Sequence, residues 1–218
     1  MLPHVFLRQL LVLGTMLTAP LLPAYAFSVT EVGDAGETLT TAQVLSGTGP
    51  LETISGALSS NNADLFQIFI DGGNFSATTL PNNAFNTQLF LFDALGRGVV
   101  ANDDSSIQTT GSTLNAIGLS SGIYYLAISG FDYDPTSVNG FIFPNNARGQ
   151  RTPQTNSPLT GFGQRTTLES DSGFYTLTLS GASGVPVPGP GPALGLLALG
   201  GLGGLKQLYR NRARSQQH

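Results

Sequence analysis

The sequence predicts an all-β protein built from antiparallel strands, a sandwich or a barrel. Short runs of alternating apolar and polar residues recur along the middle of the chain, separated by Gly, Asn, Asp and Ser. No part of this middle region has a helical period. Strands at such spacing, with turn residues between them, are typical of a sandwich or barrel rather than of βαβ units. The predicted strands cover residues 51–59, 64–70, 74–80, 87–93, 98–103, 112–119, 122–130 and 173–181.

Alternation within these strands predicts one buried and one solvated face, as in an antiparallel sheet that packs on its core from one side. The faces expected to be buried carry Phe66, Ile68 and Ile70, then Tyr124, Leu126 and Ile128, then Tyr175, Leu177 and Leu179. The opposite face of the run 122–130 carries Tyr125, Ala127 and Ser129. In the segment FDALGRG (92–98), Gly96 and Gly98 predict a hairpin turn with positive φ.

Two of the predicted strands have similar sequences. SGIYYLAISG (121–130) and SGFYTLTLSG (172–181) agree at six of ten positions. Two independent strands entered by a Ser-Gly turn are favoured over an internal duplication, and in either case we expect the strands to be neighbours in one sheet. Residues 131–172 between them form a long loop insertion, which at this length is either functional or disordered.

The first 26 residues have the pattern of a secretory signal peptide. A charge at Arg8 precedes an apolar run through Leu10–Leu17 and the small-residue site Ala24-Tyr25-Ala26. This order predicts a signal helix that is cleaved after Ala26. The alternative, an ordinary amphipathic helix, is disfavoured because the run has no polar face.

Residues 27–184 then form the body, whose length suits a single domain with a sizeable core. All thirteen acidic residues lie in the body, together with four of the nine basic residues, so its formal charge is −9. Such a charge repels phosphate backbones and argues against nucleic-acid binding. The chain has no cysteine, which excludes disulfides and lipid attachment through a thioether.

The last segment, 185–218, has three parts. A proline-rich motif at 185–192 precedes an apolar helix at 193–209 and a basic tail at 206–214. Residues 193–205 would extend about 20 Å as a helix, against a hydrocarbon core of about 30 Å. We therefore expect a weak, transient insertion into the inner membrane with the basic tail in the cytoplasm. A permanent anchor is the main alternative, and a core helix is a lesser one.

Candidate catalytic groups are few. The body contains no His, Cys or Lys, which excludes Ser-His-Asp, Cys-His and Ser-Lys catalysis and His-ligated zinc. A hydrolase that uses paired carboxylates is the remaining enzymatic reading, and we disfavour it.

Clustered carboxylate and amide oxygens on loops indicate a candidate Ca²⁺ site. The alternative, which we favour, is that Asn and Asp close turns by bonding to their own backbone. The candidate ligands are Asp93, Asn102, Asp103, Asp104, Asp132 and Asp134.

Aromatic residues in the long insertion indicate a second candidate site. If they are exposed, they offer a surface on which a carbohydrate or protein ligand could stack. The candidates are Tyr133, Phe141, Phe143 and Phe162.

The body resembles the bacterial pre-peptidase C-terminal (PPC) domain over roughly residues 34–181. The resemblance is carried by NNADLFQIFI (61–70), TQLFLFDALGRGVVANDD (87–104), SSGIYYLAISG (120–130) and SGFYTLTLSG (172–181). It implies the fold class that we expect for the body, a jelly-roll-like antiparallel β-sandwich, used as an accessory module on secreted proteases and on non-enzymatic surface proteins. The insertion 131–172 departs from the compact pattern of that family.

The tail resembles the PEP-CTERM sorting tag of Gram-negative bacteria. In such a tag a short proline motif precedes an apolar helix and an Arg-rich end; here the motif is a V-P-x-P or V-P-G-P variant made by Val185, Pro186, Val187, Pro188, Gly189 and Pro190. The resemblance implies export, processing by an exosortase-like membrane protease and association with extracellular polysaccharide or biofilm. The expected protein is thus a non-catalytic surface or matrix component. The alternative is a carbohydrate- or protein-binding module, with or without a dependence on calcium.

Overall fold

The computed structural model describes residues 25–187 apart from 82, 83, 146, 147, 167 and 169. It is all-β, and all eight predicted strands are confirmed, with seven shorter ones added. In chain order the strands are β1 (Phe27–Thr30), β2 (Gln43–Val44), β3 (Leu51–Leu58), β4 (Ala63–Ile70), β5 (Gly73–Thr78), β6 (Thr87–Asp93), β7 (Gly98–Asn102), β8 (Thr113–Leu119), β9 (Gly122–Gly130), β10 (Tyr133–Ser137), β11 (Gly140–Phe141), β12 (Gln150–Arg151), β13 (Gly161–Gln164), β14 (Gly173–Ser180) and β15 (Ala182–Ser183). The predicted signal helix and C-terminal apolar helix lie outside the described residues.

The strands form three sheets. The front sheet has the order β1-β3-β14-β5-β8, and the back sheet has the order β12-β7-β6-β9-β4-β15, with β2 also pairing with β4. A third, smaller sheet, the cover sheet, has the order β11-β10-β13. Pairing is antiparallel except for β1 with β3 and β2 with β4, which are parallel.

The main core is built from inward-facing side chains of the front and back sheets. As predicted, Phe66, Ile68 and Ile70 of β4 are fully buried there. On β14, Tyr175, Leu177 and Leu179 are buried while the alternate residues are exposed. The front sheet therefore follows the predicted pattern of one buried and one solvated face.

The back sheet does not follow that pattern, because both of its faces are buried. On β9, Tyr125, Ala127 and Ser129 are buried, although the alternation predicted a solvated face. This second face packs against residues of the 131–172 segment, among them Ile142, Phe143 and Leu159, to form a second core. The segment is thus a folded layer that carries the cover sheet and β12, rather than a long loop.

The two similar strands are not neighbours, so that prediction was wrong. β9 lies in the back sheet between β4 and β6, whereas β14 lies in the front sheet between β3 and β5. They have similar sequences because they occupy equivalent positions: each is a central strand of one large sheet and packs one face against the main core.

The predicted hairpin at 92–98 is present between β6 and β7. Gly96 has the expected positive φ of 76°. Gly98 is needed for a different reason: a Cβ there would lie 2.8 Å from side-chain atoms of Ile142 and Phe143. This glycine lets the 131–172 segment approach the back sheet closely.

Candidate functional site

A cluster of buried charges lies where β7 and β9 of the back sheet end. Asp103 follows β7, and Asp132 and Asp134 lie at the junction of β9 and β10. The pairing of β6 with both β7 and β9 brings these segments together, because Leu89 pairs with Asn102 and Thr87 with Gly130. The three aspartates are at most 3% exposed.

Two arginines from the 131–172 segment complete this aspartate–arginine cluster. Nε of Arg165 lies 2.9 Å from Oδ2 of Asp134, and Nη1 of Arg151 lies 3.9 Å from its Oδ1. Each guanidinium also donates to a backbone carbonyl, Arg151 to Pro144 at 3.1 Å and Arg165 to Phe143 at 2.6 Å. Asp134, Phe143 and Pro144 belong to the same segment, so these contacts hold the segment together internally. The attraction between Arg151 and Asp103 links it to the end of β7.

Electrostatics in the aspartate–arginine cluster are only partly balanced. Burial raises the pKa of Asp103 to about 7, Arg151 opposes this, and the neighbouring aspartates add to it. Burial also lowers the pKa of Arg151. Within the described part of the chain, Oδ1 of Asp103, Oδ2 of Asp132 and Oδ1 of Asp134 accept no hydrogen bond.

The structure brings together four of the six predicted calcium ligands. The other two, Asn102 and Asp93, bond to backbone groups instead. Asp104, the fourth, interacts with Asp103. Asn102 serves the backbone, because its Oδ1 accepts from Thr113 N at 2.7 Å. Asp93 lies at the opposite end of β6, where Oδ1 accepts from the backbone N–H groups of Leu95 and Arg97, both at 2.9 Å. That is the turn chemistry given as the alternative.

Among the described residues, no group of three or more His, Cys, Asp or Glu side chains has an arrangement that could hold a metal ion. In the aspartate–arginine cluster, Arg151 and Arg165 supply the positive charge that a cation would otherwise bring. Calcium binding by Asp103, Asp132 and Asp134 stays a prediction.

The aromatic residues of the segment are not the exposed stacking surface that the sequence predicted. Phe143 is fully buried, with its ring centroid 5.7 Å from that of Phe90. Phe162 stacks on Tyr133 at 6.0 Å, and the guanidinium of Arg165 covers Phe141 at 4.0 Å. Phe143 and Phe162 pack into the second core, because the back sheet would otherwise expose an apolar surface, while Phe141 stays half-buried under Arg165.

Tyr133 is held in place through its hydroxyl, which donates to Oε2 of Glu37 at 3.2 Å. Burial, reinforced by that carboxylate, raises the pKa of Tyr133 to about 12. Its role is thus to connect the cover sheet to the segment before β2.

The first residue of the predicted sorting motif is bonded to the body of the protein. The backbone N–H of Val185 donates to Leu45 O at 2.7 Å, and Val185 forms a parallel bridge with Ser46. Two residues on, Val187 is 67% exposed. The rest of the motif, Pro188, Gly189 and Pro190, lies outside the described residues.

One buried network was missed by the sequence reasoning. Asp64 is fully buried on β4 and accepts a hydrogen bond from the hydroxyl of Tyr175, at 2.7 Å from its Oδ2. The same hydroxyl lies 3.4 Å from Oε2 of Glu31. A signal was available, because Asp64 has the phase of Phe66 and Ile68 and so had to face the core.

Burial is also the main cause of the titration behaviour of this Glu31–Asp64–Tyr175 network. It raises the pKa of Asp64 to about 7, and the nearby Glu31 carboxylate raises it further. Burial and the two carboxylates likewise raise the pKa of Tyr175. Asp64 lies beneath the front sheet with no exposed surface, whereas Glu31 is half-buried and lines a depression on the surface.

No protein-family model matches this chain, and no curated protein matches it either. Within the described ranges, no helix has the length and apolarity needed to cross a bilayer.

Proposed function

We propose that this chain is an exported, non-catalytic protein of the cell surface or extracellular matrix, delivered there by removable signals at both ends. The observation that carries the proposal is the position of the first strand and the last backbone bridge among the described residues. That strand, β1, begins at Phe27, the residue after the predicted cleavage site, and that bridge is made by Val185, the first residue of the predicted sorting motif.

The proposal includes a jelly-roll arrangement of the body. Numbered among themselves, the eight long strands lie in the order first, eighth, third, sixth in the front sheet. In the back sheet the order is fifth, fourth, seventh, second. This exchange of strands between two sheets supports two interlocked Greek keys.

Processing of the tail is assigned to an exosortase-like membrane protease. The exposure of Val187 supports this role, because a protease needs an extended and accessible segment. Prolines at 186, 188 and 190 keep that segment from continuing as a strand or helix. The apolar stretch 193–209 would insert in the inner membrane only until the cut is made.

The non-catalytic reading is supported by the chemistry of the buried groups. The aspartate–arginine cluster is paired with arginines, and the Glu31–Asp64–Tyr175 network has its Asp64 fully buried. Neither contains an activated nucleophile of the Ser-His or Cys-His type, since residues 27–184 have no His or Cys.

The mass of the intact protein, isolated from its native envelope, tests the proposal. We expect a chain that begins at Phe27 and lacks the apolar helix. A matched variant with Pro186, Pro188 and Pro190 replaced by Ala should retain the helix while keeping the N-terminal cut. Full-length, uncut chain in the soluble cell interior would overturn the proposal, and a mature chain that keeps residues 193–209 would show a permanent anchor instead.

Calcium dependence belongs to the alternative function, a ligand-binding module, and is tested separately. Calorimetric titration with Ca²⁺ should give heat that disappears in Asp132→Asn if the aspartate–arginine cluster binds the ion. Absence of heat at millimolar calcium would remove this part of the alternative.

A further inference from the structure

Hydroxyl side chains line up across the solvated face of the front sheet. The register pairs Ser28 with Thr53, Thr53 with Thr178, Thr178 with Thr78 and Thr78 with Thr113. This hydroxyl row crosses all five strands, with neighbouring strands about 4.8 Å apart. Directly opposed residues point to the same side of a sheet, so the row forms one continuous line.

Shorter rows run parallel to the first on either side. Thr176 pairs with Ser55, and Ser180 pairs with Ser76, which pairs in turn with Asn115. Some of these hydroxyls bond to each other, as Ser55 does to Thr176 at 3.1 Å. At one end of the main row, Oγ1 of Thr78 is already engaged with Ser112 O, Thr113 Oγ1 and the N–H of Leu80. A hydroxyl has one donor and two acceptor positions, so a hydroxyl with one such bond, as in the Ser55–Thr176 pair, keeps capacity for a ligand.

The face is almost free of charge. The five strands contain no Lys or Arg, and Glu52 is their only charged residue. Glu31, which follows β1, adds a second carboxylate in a depression at the margin of the face. A phosphate-bearing polymer or an anionic membrane needs basic residues that are missing here. A protein partner or a second copy would need an apolar, aromatic-rich centre, whereas Ser is depleted at such interfaces.

Apolar side chains and shallow depressions bracket the rows. Phe174 on β14 is 79% exposed beside a depression of about 430 Å³ that Ser55 and Thr176 also line. At the other end of β14, Ile117 is 81% exposed beside a depression of about 200 Å³ lined by Ser76 and Ser180. A flat ligand that runs along β14 would thus cross the hydroxyl row and contact Phe174 near one end of the strand and Ile117 near the other.

We propose that this hydroxyl face binds a neutral polysaccharide chain. A pyranose chain presents hydroxyl groups at regular intervals along its edges, which suits alternating donors and acceptors, and an apolar C–H face that can lie on the ring of Phe174. The face has no basic residue on its five strands to attract an acidic polymer, and a body of charge −9 repels polyanions, so a neutral polymer is favoured. The inference rests on the proposed function, since it names the matrix component to which the exported protein attaches.

Native affinity electrophoresis of the full chain in non-ionic detergent tests the inference. Gels contain soluble β-glucan, galactomannan or xyloglucan as neutral probes, or alginate as the acidic probe. We expect retardation in at least one neutral gel and none in alginate. Phe174→Ala and Thr178→Asp should each weaken the apparent affinity about tenfold. Val138→Ala, which truncates an 82% exposed side chain beyond the cover-sheet strand β10, should leave it unchanged.

Migration unaffected by every neutral polymer would overturn the inference, as would retardation that both front-sheet variants retain. Phe174→Ala decides the matter if Thr178→Asp does not fold, because Phe174 is too exposed to contribute to the core. Failure of the polysaccharide inference can be distinguished from failure of the proposed function. A chain that is exported and trimmed yet migrates freely overturns only the polysaccharide site, whereas uncut chain inside the cell overturns the function.

Discussion

Tyr175 and Asp64 join the two large sheets through a hydrogen bond inside the main core. The hydroxyl of Tyr175, on β14 of the front sheet, donates to Oδ2 of Asp64, on β4 of the back sheet, at 2.7 Å. Glu31 stays close because its carboxylate also accepts from the backbone N–H groups of Ala35 and Ala57. Removal of a carboxylate from water favours its protonated form, so this link makes stability depend on pH.

We expect the protein to become less stable as pH rises from about 5 to about 8. The pKa of Asp64 is about 7 in the folded chain and 3.8 for the free side chain, so the folded state holds more protons between these values. The resulting stabilisation is complete below the lower pKa and is lost as pH passes through the upper one. The melting temperature should fall by several degrees over this range, as measured by circular dichroism.

Asp64→Asn should flatten that slope, because the amide keeps an acceptor for Tyr175 and cannot ionise. Part of the slope should remain, since burial also raises the pKa of Asp103 to about 7. The double variant Asp64→Asn/Asp103→Asn should lose most of the dependence of stability on pH. Asp71→Asn, at an exposed carboxylate, is the control; a slope that survives unchanged in the double variant would contradict the account.

Gly56→Ala should destabilise the fold by about 1–3 kcal/mol, as overpacking does. A Cβ at Gly56 would lie 2.3 Å from Oε2 of Glu31 and from the hydroxyl oxygen of Tyr175. Chemical unfolding in urea measures the change. Gly163→Ala is the matched control, because its Cβ would meet only Thr136, at an ordinary 3.6 Å. Equal stability of the two variants would mean that Glu31 and Tyr175 are not held together.

Asp134→Ala should cost about 3–5 kcal/mol of unfolding free energy, because it strips Arg151 and Arg165 of their buried carboxylate partner. Asp134→Asn should cost less, since it retains an acceptor. Glu52→Ala, at an exposed position, should stay within about 0.5 kcal/mol of the parent. A melting temperature of Asp134→Ala equal to that of Glu52→Ala would rule out a structural role for the aspartate–arginine cluster.

Phe143→Ala should destabilise the protein by about 3–5 kcal/mol, because its fully buried ring fills the second core. Phe174→Ala removes the same atoms from a ring that is 79% exposed, and it should change stability by no more than about 0.5 kcal/mol. Limited proteolysis adds a second readout, since Phe143→Ala should expose residues 131–172 to cleavage. If both variants unfold alike, that segment does not pack as a layer.

The local pattern of the chain was sufficient to predict the strands. Tyr175, Leu177 and Leu179 alternate with Thr176, Thr178 and Ser180, and such a period fits a strand with one face in a core. The turn at Asp93 could also be read locally, because Asx and Gly residues close turns through short-range bonds. Position 64 carried a further local signal, a carboxylate in the phase of buried residues, which the sequence reasoning missed.

The candidate sites could be predicted only in part, because their geometry depends on contacts between distant segments. The sequence placed Asp103, Asp132 and Asp134 in one candidate group, and the structure does bring them together. It could not show that Arg151 and Arg165 enter the same buried space, since arginines in a polar segment have no local signal for burial.

By itself the sequence determined the all-β class and the eight long strands, because these follow from periodicity and turn residues. Only the tertiary structure decided which faces are solvated. The segment 131–172 folds over the back sheet and buries Tyr125, Ala127 and Phe143, while the hydroxyl row on β14 stays in water. The physical reason is that solvation of a sheet face depends on what packs against it, and residues far apart in the chain determine that packing.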